Sequence, residues 1–375
     1  MSRATGALIS LAALRHNLRQ AHALAPHSRI MAMVKANAYG HGLAVAARAL
    51  SAADAFGVAS LEEALILRHA GLAHPIVLLE GVFSAAEIEE AAHNGCELVV
   101  HDERQLALLE ASALEKSLNV WLKLDTGMHR LGFAPGEAHA VWERLNSARS
   151  VRTPLRLMTH LARADEPGNP HTRAQLQTFA DVTRGWIAER SIANSAALLA
   201  WPESHADWVR PGILLYGVSP FPDHAGVEYD LKPVMTMRTV LIAVKTVARG
   251  DTVGYGGNWQ AERDTRIGIA AIGYGDGYPR HAPNGTPVLV NGARVPLIGR
   301  VAMDMIAVDL HTQATARVGD EVVLWGPELP VEEIARAAGT IPYELLCGVT
   351  QRVKFGVVDE HQPERAAAQA PQQIK

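Results

Sequence analysis

The chain has 375 residues, 35 Lys and Arg against 39 Asp and Glu, and a formal net charge of −4; this balance excludes a polybasic nucleic-acid surface and an acidic tail protein, and leaves small molecules or other proteins as partners. Apolar residues make up 48% and charged residues 20%, ordinary globular usage, so a substantial core can be buried over two or three domains at roughly 150 residues each. Cys96 and Cys347 stand far apart in no CxxC or ligand spacing, no export signal is legible, no apolar run approaches the ~18 residues of a membrane span, and the 17 histidines form no HExxH or HxH set: a cytoplasmic protein without disulfides, membrane segment or metal site is expected.

In chain order, short apolar runs fall at 30–34, 55–58, 76–79, 98–100, 120–124, 155–159, 191–194 and 213–216. Between them lie helix-like stretches such as 61–70, 85–92, 104–112 and 172–190, with Gly71 and Gly95 where helix ends need a left-handed residue. Near-continuous apolar strands alternating with helices imply a parallel sheet buried on both faces, and eight such units fit an α/β fold of the closed (β/α)8 TIM type. After about residue 230 the texture changes to β-branched runs at 240–247, 266–272, 287–290, 294–297, 306–310, 321–325 and 353–358, broken by one helix at 330–338. The expected organisation is a barrel over 1–230, a mainly β C-terminal domain over 231–358, and a tail over 359–375, rich in Gln, Ala and Pro, which lacks the apolar residues to bury surface.

A barrel builds its active site at the C-terminal ends of its strands. The first strand runs straight into Val34-Lys35-Ala36-Asn37-Ala38-Tyr39-Gly40-His41-Gly42. A lysine there either snorkels at a strand edge or is desolvated, with a lowered pKa that makes its amine a nucleophile toward an aldehyde cofactor. The run VKANAYGHG resembles the motif of alanine racemases in which the lysine carries pyridoxal 5'-phosphate. Further matches follow in order. WLKLDTGMHRLG ends the fifth strand; the resemblance gives Arg130 contacts to cofactor and substrate carboxylate and makes Lys123 a carbamylated lysine holding that arginine. Carbamylation would turn one of two adjacent buried cations into an anion.

By the same resemblance, His160 in MTHLARAD lies against the cofactor ring. Asn194, Ser195, Gly212, Ile213 and Tyr39 hold the phosphate, in loops where barrels commonly bind it, although Asn194-Ser195 also suits an ordinary helix cap. Arg210 is placed at the cofactor's ring nitrogen, where a permanent cation leaves that nitrogen unprotonated. Racemisation needs a proton removed from one face of Cα and returned to the other, so two bases are the simplest arrangement. The segment TVGYGG makes Tyr255 the base opposite Lys35, reaching the site of a neighbouring subunit, which implies a homodimer with composite sites. Tyr274 resembles the residue narrowing the entrance, Asp165, Arg280 and Arg300 its outer charged shell, and Met303 a substrate-contacting position. In CGVTQRV the family's additional phosphate tyrosine falls at Gln351, implying fewer phosphate hydroxyls and a differently gated entrance.

The resemblance spans both domains and implies L-/D-alanine interconversion, for peptidoglycan or for D-alanine catabolism. The alternatives are a racemase of broader specificity for serine or lysine, a barrel-type pyridoxal-phosphate decarboxylase, and a cofactor carrier without catalysis. Arg210 at the ring nitrogen argues against the decarboxylase, and Tyr255 against the carrier.

Overall fold

The computed structural model describes residues 4–359; the segment 360–375, most of the expected tail, lies outside the described residues. The first element, β1 (Gly6–Ser10), and helix α1 (Leu11–Leu24) precede the barrel. Ser10 ends the strand and caps the helix by accepting the N–H of Ala13 at 3.1 Å.

Eight parallel strands then close into a barrel: β2 (Arg29–Met33), β3 (Ala55–Val58), β4 (Ile76–Leu78), β5 (Cys96–Val100), β6 (Leu118–Lys123), β7 (Val151–Met158), β8 (Arg190–Ser191) and β9 (Trp208–Val209). The register Ile30↔Val209 joins the last strand to the first. β3, β4 and β5 are buried at every position, because helices cover the sheet outside and side chains fill it inside, and each Val, Leu or Ile so removed from water contributes about 1.5–3 kcal/mol. The helices Leu61–His69, Ala85–His93 and Glu103–Ala111 start at Ser60, Ser84 and Asp102, whose side chains accept N–H groups in the first turn. Gly71 and Gly95, at φ +81 and +61, turn the chain out of the first two. Toward the strands' N-terminal ends, Glu97 accepts from Trp121 and Arg156, and Glu189 from Arg156 and Trp208, an interlocked polar plug remote from the cavity.

The second domain is an eight-stranded sheet in the order β11-β14-β13-β12-β15-β10-β1-β16, with β10 also pairing β11. Its strands are β10 (Met235–Val247), β11 (Thr265–Ala270), β12 (Pro287–Val290), β13 (Ala293–Ile298), β14 (Ile306–Asp309), β15 (Glu321–Trp325) and β16 (Lys354–Val358). In its first half β10 alternates buried and partly exposed residues, the period-2 pattern of a one-sided sheet.

Four expectations need correction. The eighth barrel strand is β9 rather than 213–216, which forms the 3-10 turn Ile213–Tyr216; its four apolar residues are buried in a turn, and an apolar run alone does not separate the two. The helix expected at 172–190 is Pro170–Val182, and Gly185 at φ +81 lies beyond its end. The barrel does not begin at residue 1, because β1 pairs with β10 and β16 and so belongs to the second domain's sheet. Asp359, expected to open the tail, ion-pairs with Arg15.

Candidate active site

A cavity of about 860 Å³ opens at the C-terminal ends of the barrel strands, a size that suits a cofactor together with a small substrate. Lys35, Tyr39, Lys123, Arg130, His160, Asp165, Asn194, Ser195, Arg210, Gly212 and Ile213 all line it, so eleven residues singled out in the sequence come together at one mouth.

Lys35 leaves β2 and the chain immediately enters a left-handed turn: Ala36, Asn37, Ala38 and Tyr39 have φ of 53, 53, 55 and 52°. Left-handed conformations cost roughly 1–2 kcal/mol for each residue with a Cβ. The turn is held by Ala38 N–H donating to Val34 O at 2.8 Å, Gly40 N–H to Ala36 O at 3.0 Å, and Leu43 N–H to the Asn37 side chain at 2.8 Å. Gly40 is required there, because a Cβ would lie 2.0 Å from Leu346 O on the helix Pro342–Cys347. Burial, with Arg130 nearby, lowers the pKa of Lys35, a shift that favours the neutral, nucleophilic amine.

Lys123 ends β6, is 8% exposed, and is pushed down to about 8 by burial and by the cations Arg210, Arg130 and Lys35. Arg130 stands in the following loop, which Asp125 folds by accepting the N–H groups of Gly127, Met128 and His129 at 2.9, 3.0 and 3.0 Å. Gly132, at φ +128, lets this loop return against β6, with a Cβ position 2.6 Å from Asp125 N.

Arg210, buried beyond β9, donates to Ser191 Oγ (2.7 Å), Thr159 O (2.7 Å), Ile192 O (3.1 Å) and His160 Nδ1 (3.2 Å). Burial lowers it to about 10, so it stays cationic at neutral pH. His160 is held well below its ordinary value by burial and by Arg210, Lys123, Arg130 and Lys35. Across the cavity Asn194 caps the helix Ser195–Ala200 through Ala197 N–H at 3.0 Å, fulfilling its ordinary structural role while also lining the site. Ser195 Oγ accepts Gly212 N–H at 2.8 Å. Gly212 is pressed against Tyr39, since a Cβ would sit 2.4 Å from the tyrosine hydroxyl. Two hydroxyls therefore converge on the backbone at Gly212, in a cavity that an amine of lowered pKa and guanidinium groups also line. That donor set fits a phosphorylated aldehyde such as pyridoxal phosphate.

Tyr255, Tyr274, Arg280, Arg300 and Met303 do not line this cavity. Four of them gather around one loop of the second domain. Tyr274 N–H and Gly275 N–H donate to Ala302 O and Met303 O at 3.1 and 2.9 Å, and Arg300 packs over Gly256, beside Tyr255. Tyr255 is 70% exposed, Met303 51% and Tyr274 40%, an aromatic and sulfur-bearing surface at odds with a role inside the same chain's cavity. Arg280 is exposed at the exit of the Tyr274 turn.

One cavity residue was missed in the sequence. Tyr343 lines the cavity, with its ring 6.0 Å from that of Tyr39, whereas Gln351 is exposed and does not line it. The expected loss of a hydroxyl at Gln351 is therefore corrected: Tyr343 stands at the cavity on the helix Pro342–Cys347. Pro342 at that helix's first position was the available signal. The second domain thus reaches its own barrel as well, through Glu332, Arg336, Tyr343 and Cys347. Among the described residues no group of three or more His, Cys, Asp or Glu is placed to hold a metal, and no helix is long and apolar enough to cross a membrane.

Comparison with known proteins agrees with this geometry. The family described as "Alanine racemase, N-terminal domain" matches residues 9–220, and "Alanine racemase, C-terminal domain" matches 234–357. The chain is 56% identical over 347 residues to the alanine racemase of Aeromonas hydrophila subsp. hydrophila, covering 92% of this chain and 97% of that one. It is 53% identical over 353 residues to the biosynthetic alanine racemase of Escherichia coli K12, covering 94% and 98%. The crystal structure of biosynthetic alanine racemase from Pseudomonas aeruginosa superposes with a TM-score of 0.93 at 49% identity, over 96% of this chain and 100% of that one. With family models matching both domains and the fold superposing over nearly the whole chain, the chain belongs to the alanine racemase family, a family of isomerases.

Proposed function

We propose that the chain interconverts L- and D-alanine, using pyridoxal 5'-phosphate attached at Lys35 and a homodimer in which each subunit supplies Tyr255 to its partner's cavity. The observation that carries this reading is the turn linking the Lys35 amine, of lowered pKa, to the Tyr39 hydroxyl within a cavity lined by Lys123, Arg130 and Arg210. Bound there, the cofactor would take up the substrate amine and draw electron density away from Cα, acidifying its hydrogen.

The residues of the chain do the rest. Tyr39, Ser195, Gly212 and Ile213, with Asn194 capping the adjoining helix, hold the phosphate. Tyr343 adds a third hydroxyl beside Tyr39. Arg210, committed to four acceptors, is a fixed cation that discourages protonation of a heteroaromatic nitrogen facing it. His160, accepting from Arg210, remains a neutral wall. Arg130 takes the substrate carboxylate, and Lys123, converted to a carbamate by carbon dioxide, supplies the anion that holds it; an amine near pKa 8 has enough neutral form to react.

Tyr255 Oη removes the Cα proton of L-alanine and Lys35 Nζ delivers one to the opposite face, with the roles exchanged for D-alanine. The exposed Tyr255, Tyr274, Arg300 and Met303 support the dimer, since a two-fold axis brings the same patch onto both cavities. Met303 would touch substrate, while Tyr274, Arg280, Arg300 and Asp165 narrow the approach. Such an enzyme fits the cytoplasm, where D-alanine is made for peptidoglycan or consumed.

Purified protein supplied with the cofactor should show the visible absorption of lysine-bound pyridoxal phosphate and form D-alanine from L-alanine. Lys35→Ala should lose both; an unchanged spectrum, or carbon dioxide release without D-alanine, overturns the reading.

A further inference from the structure

The left-handed turn after Lys35 holds four consecutive residues with a Cβ at positive φ, and it joins Lys35 to Tyr39, both of which line the cavity. His41 lies beneath it, with 1% of its surface exposed. Its Nδ1 is 3.0 Å from Ala38 O and 2.9 Å from Tyr39 O. Both partners only accept, so Nδ1 carries the hydrogen and donates to the two carbonyls. The ring is stacked on Tyr216 at 4.6 Å, Tyr216 is stacked on Tyr39 at 4.8 Å, and the Tyr216 hydroxyl donates to Met33 O at 2.9 Å. A closed circuit therefore runs from the strand before Lys35, through Tyr216 and His41, to the carbonyls of the turn.

The other ring nitrogen, Nε2, is buried with no hydrogen-bond partner among the described residues. A side chain needed only to fill this space would be apolar and leave no nitrogen stranded. The δ-position donor is what an aliphatic residue lacks. Burial holds the imidazole down to about 4, so it keeps one hydrogen at neutral pH and does not act as a proton carrier.

We infer that His41 is a positioning residue: its Nδ1–H pins the Ala38 and Tyr39 carbonyls of the left-handed turn and so sets the offset between the Lys35 amine and the Tyr39 hydroxyl. The consequence for cofactor retention rests on the reading of Lys35 given above, whereas the pinning of the turn does not.

The test compares the full-length protein with His41→Leu and with His41→Asn, whose amide keeps a donor near the δ position. Amide hydrogen exchange over 36–42 is followed without cofactor, and pyridoxal phosphate affinity is titrated separately. Removing a donor from buried carbonyls should speed exchange and weaken cofactor binding by about tenfold each in His41→Leu, with His41→Asn returning both to within about threefold of the unsubstituted protein. If His41→Leu does not fold, His41→Gln replaces it: its amide reaches the ε position and is expected to behave unlike His41→Asn. The inference is overturned if His41→Leu leaves exchange over 36–42 unchanged, or if His41→Asn is as impaired as His41→Leu or His41→Gln. Should the unsubstituted protein bind no pyridoxal phosphate, the cofactor reading fails while the exchange comparison still decides the role of His41.

Discussion

Arg210 donates to His160 Nδ1 at 3.2 Å, so that nitrogen bears no hydrogen and the neutral imidazole carries its proton on Nε2. Protonating the ring would place two N–H groups against each other in a site already crowded with cations. The folded ring thus refuses a proton that the unfolded chain accepts below its ordinary pKa of about 6.5. The unfolded state then binds more protons, and this residue's contribution makes stability fall as pH drops below that value. Nitrogen NMR of the holoprotein at pH 6 should show the Nε2–H tautomer. In Arg210→Lys the ammonium cannot reproduce the fork, leaving acceptors among Ser191, Thr159 and Ile192 unmatched, and unfolding in urea should reveal a loss of about 2 kcal/mol or more.

Lys123 gives a second pH signature. Its folded pKa of about 8 lies below its ordinary value of 10.5, so the unfolded chain binds more protons between the two. Stability contributed by this residue is lowest below pH 8 and rises with pH through that window. In buffer free of carbon dioxide, wild type should gain on Lys123→Met as the pH is raised from 8 toward 10. Added bicarbonate should abolish this differential gain and yield a carbamate resonance by carbon NMR, because the modified nitrogen no longer titrates. A difference in slope that bicarbonate leaves intact would count against carbamylation.

Tyr255→Phe separates the two directions of turnover. Removing the hydroxyl should suppress exchange of the L-alanine Cα hydrogen with solvent by about a hundredfold or more, the scale of a general base, while abstraction from D-alanine by Lys35 is affected less. Equal losses from both isomers would remove the assignment of opposite faces.

Gly40→Ala addresses the contact between domains. At φ +81 a methyl group is already strained, and it meets Leu346 O at 2.0 Å. The expected loss is about 1–3 kcal/mol, read as a lower thermal midpoint. Because the helix carrying Tyr343 must back away, weaker retention of pyridoxal phosphate should accompany it. Gly71→Ala, where φ is also +81 but none of the described residues comes within 4 Å of the added methyl group, is the control that isolates the steric part.

The barrel was readable because its strands are continuous apolar runs whose burial needs no partner knowledge, and the cavity because Lys35, Lys123, His160 and Arg210 follow strand ends where polar groups are otherwise unexpected. What escaped was set by distant contacts. The pairing of 6–10 with the last strand cannot be read from either segment alone, and 213–216 is apolar because it is buried, not because it is extended. The left-handed turn at 36–39 defies local preference, since Ala, Asn and Tyr are held there by the His41 ring and by the closeness of Leu346. Tyr343 was hidden for another reason: apart from Pro342 at its first position, a helix of six residues, Pro342–Cys347, carries no periodic signature long enough to recognise.

The place of β1 between β10 and β16 bears on biogenesis. Its register runs Gly6↔Arg238 on one side and Gly6↔Lys354 on the other, so β1 finds its partners only more than 200 residues further along the chain. During translation β1 has both edges open while the barrel emerges, and a pairing of such high contact order is expected to slow completion of the β sheet. A cut between the two domains near residue 230 would therefore not release two autonomous units: the C-terminal fragment would lack an interior strand of its own sheet, and the barrel fragment would carry that strand as an unpaired edge.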